Sequence, residues 1–100
     1  MRNKIREGEK CRYCIVKRKG HAEEFDERKV YASCYAACLN AQIEHKKAEK
    51  ICEKVSRELK AWARKKKYAD SSDIFREVIA EMKKYDKNAA FMYETHRDIS

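Results

Sequence analysis

Two cysteine pairs in this chain carry the spacings of ligand sets. Cys11 and Cys14 form a CxxC, and Cys34 and Cys38 lie one helical turn apart, so on a helix both thiols share a face. If the pairs converge, the four thiolates make a zinc site, and an iron–sulfur cluster needs the same ligand count. Disulfide pairing is a second state open to the set. A third is simple burial: Cys34, Cys38 and also Cys52 fall on apolar stripes, where reduced cysteine acts as a small hydrophobe. Cys11 and Cys14 lie in a polar segment with little call for small hydrophobes. The histidines, His21, His45 and His96, are isolated by spacing, and the sequence has no Ser-His-Asp set and no GxxxxGK phosphate loop. These residues point to binding rather than catalysis.

The second chemical feature is cationic. Residues 1–20 hold eight Lys or Arg against Glu7 and Glu9, and Lys60 with Arg64, Lys65, Lys66 and Lys67 forms another block, within a net charge of +8. Such patches attract nucleotides, nucleic acid or acidic surfaces. Lys17 and Arg18 stand beside Gly20, and Lys29 follows Asp26, a good helix N-cap. Lysine supplies a mobile point charge and arginine a planar fork of donors, both suited to phosphate. A small basic nucleic-acid-binding protein, stabilised by a cysteine-ligated metal, is therefore one reading of the chain.

The elements that must position these groups follow from periodicity. A chain of 100 residues, without proline and with two glycines, is one domain of mostly regular elements. Residues 1–13 read as a basic arm. Ile15-Val16, then Ala22 and Phe25, mark two short strands around Lys19-Gly20. Helix 1 starts after Asp26 with Val30, Cys34, Ala37, Cys38 and Ala41 inward, and turns over residues 40–43. Helix 2 runs from Glu44 to Lys65, with Ala48, Ile51, Cys52, Val55, Leu59 and Trp62 as its stripe. Ser71 caps helix 3, whose inward residues are Ile74, Phe75, Val78, Ile79 and Met82. Asp86 caps helix 4, with Ala89, Ala90, Tyr93 and His96 inward. Phe25, Trp62, Phe75, Phe91 and Tyr93 are expected in the core. The fold class is α+β, mostly α: a small β-hairpin cap over a four-helix bundle. The absence of an apolar leader or membrane-length stretch predicts a cytoplasmic protein.

The stretch from Val16 through Lys17-Arg18, Gly20, Glu24-Phe25-Asp26 and Lys29-Val30 resembles the opening of the ATP-cone domain. "SSDIFREVIAEM" and "AAFMYETHRDI" resemble that family's third and last helices, in the right order, so the resemblance covers residues 14–99. It implies a module that binds ATP or dATP and regulates ribonucleotide reductases, or the transcription of their genes, without chemistry of its own. Here the partner would be an adenine nucleotide plus a reductase-related protein acted on in trans, with oligomers open. Carried over by position, Lys17 and Arg18 contact phosphates and base, while Ile15 and Val16 flank the nucleotide. Glu23 is the acidic residue of strand 2, Lys29 a phosphate neighbour, Ser71 the hydroxyl of helix 3, and Arg97 the arginine of the last helix. Phe75 replaces a histidine of a family member. Magnesium would be held by the phosphates with Glu23 or water. The cone itself requires no metal, which leaves zinc at Cys11, Cys14, Cys34 and Cys38 as a separate expectation. A protein-interaction scaffold that has lost nucleotide binding is the remaining alternative.

Overall fold

The computed structural model describes residues 15–18 and 21–97, with side chains described over 22–96. The order is β1 (Ile15–Arg18), β2 (His21–Glu24), α1 (Glu27–Asn40), α2 (His45–Arg64), β3 (Tyr68–Asp70), α3 (Ser71–Lys83) and α4 (Lys87–Arg97). The expected mostly helical α+β architecture, a hairpin over four helices, is what the chain forms.

β1 and β2 pair antiparallel, Ile15 opposite Glu24 and Arg18 opposite His21, as a hairpin around Lys19-Gly20 requires. β2 ends at Glu24, so Phe25 lies past the strand, where it packs half-buried against the core. The sheet also has a third strand that the hydropathy pattern does not announce. β3 lies parallel to β1, with Ile15 opposite Tyr68 and Lys17 opposite Asp70, giving the order β2-β1-β3. At three residues, with only Ala69 buried, β3 is too short to show an alternation. It gives the free edge of β1 backbone partners.

Asp26 caps α1: its Oδ1 accepts the Arg28 N–H at 2.9 Å and also takes the Arg28 guanidinium at 3.1 Å. The other end of α1 is a Schellman motif built without glycine. Gln42 takes the left-handed conformation (φ 65°), its N–H donates to the Leu39 carbonyl at 2.9 Å, and the Ile43 N–H donates to that of Cys38 at 3.0 Å. α2 returns alongside α1, and Lys60 reaches Glu27 at 3.1 Å. Helix 3 is capped one residue earlier than expected. Asp70 holds the extended cap conformation and Ser71 is the first helical residue, because β3 runs straight into the helix; the Asp73 carboxylate accepts the Asp70 N–H at 3.3 Å. Asp86 caps α4 through the Ala89 N–H at 2.9 Å.

The core lies between the four helices, where Leu59, Met82, Val55, Val78, Cys34, Cys38 and Cys52 are its largest fully buried side chains. Two expectations fail on α4. Ala89, Ala90 and Tyr93 define its buried face, which turns Phe91 outward to 61% exposure. His96 is exposed as well, with Nδ1 3.0 Å from Asn40 Nδ2. Trp62 is only half-buried, its ring covered by Lys66 Nζ at 5.0 Å. Among the described residues, no helix is long and apolar enough to cross a membrane.

Candidate functional site

Where the hairpin meets the helices, a cavity of about 430 Å³ opens. β2 contributes Glu23 and Glu24, α1 contributes Lys29, Val30, Ser33, Ala36, Ala37 and Asn40, α3 contributes Ser71, Ile74 and Phe75, and α4 contributes Met92, Tyr93 and His96. The α1 wall reflects the helix repeat: Lys29, Ser33, Ala36 and Asn40 recur at four, three and four residues, a stripe beside the buried one. Its small side chains leave room, whereas α3 and α4 bring bulk.

The site is graded from charge to apolar surface. At the hairpin end Lys29 Nζ lies 3.2 Å from Glu23 Oε1, both side chains more than half exposed. The first-turn amide of Arg28 is occupied by the Asp26 carboxylate. That hydrogen bond and the guanidinium of the same residue hold the Asp26 carboxyl below its ordinary range. The start of α1 therefore already carries an anion, and an incoming phosphate would rely on side-chain cations rather than on this amide. Deeper in, Phe75 stacks on Tyr93 with ring centroids 5.6 Å apart. Ser33 Oγ donates to the Val30 carbonyl at 3.2 Å and reaches the Tyr93 hydroxyl at 3.4 Å. Asn40 and His96 close the far end as a hydrogen-bonded pair.

Of the residues singled out from sequence, Glu23, Lys29, Ser71 and Phe75 all line this cavity. Ile15, Val16, Lys17 and Arg18 occupy β1, and the register sets Lys17 opposite Ala22 and Asp70, beside the start of α3. The side chains of these four, and of Arg97 at the end of α4, lie outside the described ones. Sequence reasoning missed Ser33, Asn40 and Met92 and placed the exposed His96 in the core, while Tyr93 is a core residue as expected and lines the cavity as well. The signal for the first two was the stripe that starts at Lys29, offset from the cysteine stripe.

The cysteines form a separate cluster. Cys11 and Cys14 lie outside the described residues. Cys34 and Cys38 meet Cys52 of α2, all three buried, with sulfurs within 4.8 Å of one another. None of the three is in a disulfide. The three thiols hydrogen-bond one another, and those contacts together with burial hold the proton on Cys34. Cys52 is therefore both core, as its stripe predicts, and a third donor beside the expected pair.

Compared with known proteins, residues 13–98 match the ATP cone domain. Over 90 residues the chain is 31% identical to the Transcriptional repressor NrdR of Carboxydothermus hydrogenoformans, covering 86% of this chain and 57% of that protein. The chain thus spans a little over half the length of the curated relative it matches. No solved structure gives a significant match.

Proposed function

The chain belongs to the ATP-cone domain family, and from that premise we propose that its cavity binds ATP or dATP and reports the nucleotide to a partner. Membership makes the domain a regulatory module rather than an enzyme. The observation that carries the reading is the cavity under the hairpin, where Glu23, Lys29, Ser71 and Phe75 converge from β2, α1 and α3. Its gradient suits an adenine nucleotide. The base takes the apolar part between Phe75, Ile74 and Met92, stacking on Phe75 in place of a hydrogen bond to a histidine. Asn40 and Ser33 offer polar contacts to base or sugar. The phosphates lie toward the hairpin, where Lys29 meets them once released from Glu23, and Lys17, Arg18 and Arg97 complete the cationic set. Magnesium travels with the phosphates, with Glu23 as the carboxylate at hand.

The regulated partner is a ribonucleotide-reductase-related protein or the control of its gene, a reading that the likeness to a transcriptional repressor supports. Nucleic acid is the second reading of the partner, favoured by the exposed run Arg64 to Lys67 at the end of α2. Retention on DNA that ignores ATP would favour it over nucleotide sensing.

Calorimetry with a panel of nucleoside triphosphates tests the main reading. Binding near 1 μM corresponds to about 8 kcal/mol. At about one hundred times the dissociation constant the ligand should stabilise the fold by roughly 2.7 kcal/mol. No heat with millimolar ATP or dATP, and an unmoved melting curve, would leave the domain as a scaffold.

A further inference from the structure

The thiol cluster lies apart from the cavity and is unused by nucleotide binding. Cys34 and Cys38 stack on the inner face of α1, and Cys52 faces them from α2. All three are fully buried. Filling a core asks only for apolar volume, and a methyl-bearing side chain does that as well as a thiol. Three sulfurs within 4.8 Å of one another are instead a donor set. Three thiolates around one ion at about 2.3 Å would be about 4.0 Å apart in a plane and about 3.5 Å apart around a pyramidal ion, so the sulfurs, now within 4.8 Å of one another, close the set by drawing together by roughly 1 Å.

The donor set also selects its ion. Thiolates without nitrogen or oxygen donors favour soft ions. A structural zinc site uses four protein ligands, and among the described residues the cluster offers three. Charge narrows the choice further. The trio sits in one buried cluster with Ala37, Ala48, Ile51, Val55 and Met82, and an uncompensated charge in such a place is costly. Three thiolates on a monovalent ion leave two negative charges, and on a divalent ion one. On a trivalent ion the complex is neutral.

We propose that Cys34, Cys38 and Cys52 form a three-thiolate site for a trivalent thiophilic ion, with As(III) as its type. The reaction is an exchange without redox change. As(OH)3 and three Cys–SH give As(S–Cys)3 and three waters: three S–H and three As–O bonds break, three As–S bonds form, and each thiol proton leaves in a water. Because the sulfurs are buried, uptake requires α1 and α2 to part locally.

The reduced protein, residues 1–100, would be titrated with arsenite, with zinc as the comparison. Native mass spectrometry, near-ultraviolet sulfur-to-arsenic absorption and the melting temperature are the readouts. The Cys11→Ala/Cys14→Ala variant keeps the trio, and Cys34→Ala/Cys38→Ala/Cys52→Ala removes it. One arsenic less three protons should add to the parent and to the first variant and raise the melting temperature of both. The mass and absorption changes should be absent from the second variant. The direction of the melting shift guards against capture by unfolded chain, since an ion that prefers the unfolded state lowers it. No uptake by the first variant, a lowered melting temperature, or one tight zinc in place of arsenic at the trio would overturn the proposal. If the triple variant does not fold, the first variant decides alone.

Discussion

Replacing Lys29 with Ala separates two roles that the geometry gives one side chain. In the free protein Lys29 Nζ is 3.2 Å from Glu23 Oε1, with exposures of 68% and 54%. An ion pair that open to water contributes about 0–1 kcal/mol. The variant should therefore melt within about 8 °C of the parent. Against a phosphate the same ammonium makes a charge-assisted contact, with about 1.5–3 kcal/mol at stake. ATP should bind roughly ten- to 150-fold more weakly, while adenosine, which has no phosphate to lose, is unchanged. Glu23→Gln supplies the opposite sign. Without magnesium it frees Lys29 and removes a repelling carboxylate, so ATP should bind a few-fold tighter, about 0.5–1 kcal/mol. Calorimetry with ATP, AMP and adenosine on both variants, with melting curves alongside, gives every number needed. Equal weakening of adenosine and ATP by Lys29→Ala would place the lysine in the fold rather than at the phosphates. Unchanged ATP binding would remove it from the site.

Three further expectations concern the scaffold. Leu59 is fully buried in α2, so Leu59→Ala should cost about 3–5 kcal/mol in urea unfolding, and a loss below about 1 kcal/mol would contradict the packing. Gln42 holds a left-handed conformation that glycine accepts without penalty, so Gln42→Gly should raise stability by a few tenths to about 1 kcal/mol; a lowered melting temperature would refute the Schellman geometry. Asp26→Ala should cost about 1 kcal/mol at neutral pH through loss of the cap. Because Asp26 is held below its ordinary range by Arg28, its contribution is present above the unfolded carboxyl's pKa and lost as pH falls through the folded one. Unfolding curves of parent and variant should therefore converge in acid, and a constant gap down the pH series would contradict this.

The legible parts of the chain were those with long repeats or strong caps. Val30, Cys34, Ala37 and Cys38 on α1, and Ile51, Cys52, Val55 and Leu59 on α2, repeat often enough to fix which face is buried. Asp26 and Asp86 announce helix starts because a carboxylate at that position satisfies free amides. β3 was illegible because its stabilisation comes from pairing with β1, not from any pattern in Tyr68, Ala69 and Asp70. Phe91 and His96 were misplaced because α4 buries small alanines, so hydrophobicity and size do not identify its inner face. Of the cavity, Glu23, Lys29, Ser71 and Phe75 came from motif order, whereas Ser33 and Asn40 of α1 lie outside the motif. The α4 wall depends on how α4 packs across α1 and α3, which no local spacing encodes. Cys52 joins Cys34 and Cys38 for the same reason: which residue of α2 faces α1 is a tertiary fact.

The parallel pairing of β1 with β3 also has a consequence in time. The hairpin and the α1–α2 pair close between near neighbours in sequence, whereas Val16 meets Ala69 only across both helices. Such distant contacts bear the loop-closure cost before they return any stabilisation, and parallel pairing is slow to form. The expected order of folding is therefore helices first, with β3 docking late. A two-stranded hairpin is marginal by itself in water, so β1 and β2 gain lasting order only when β3 arrives. In hydrogen exchange the amides of β1 and β3 should open together, at a lower free energy than those of α2. The wall of the cavity that carries Glu23 then belongs to the last unit to assemble and the first to open, and a ligand that bridges this wall to α1 and α3 slows its release.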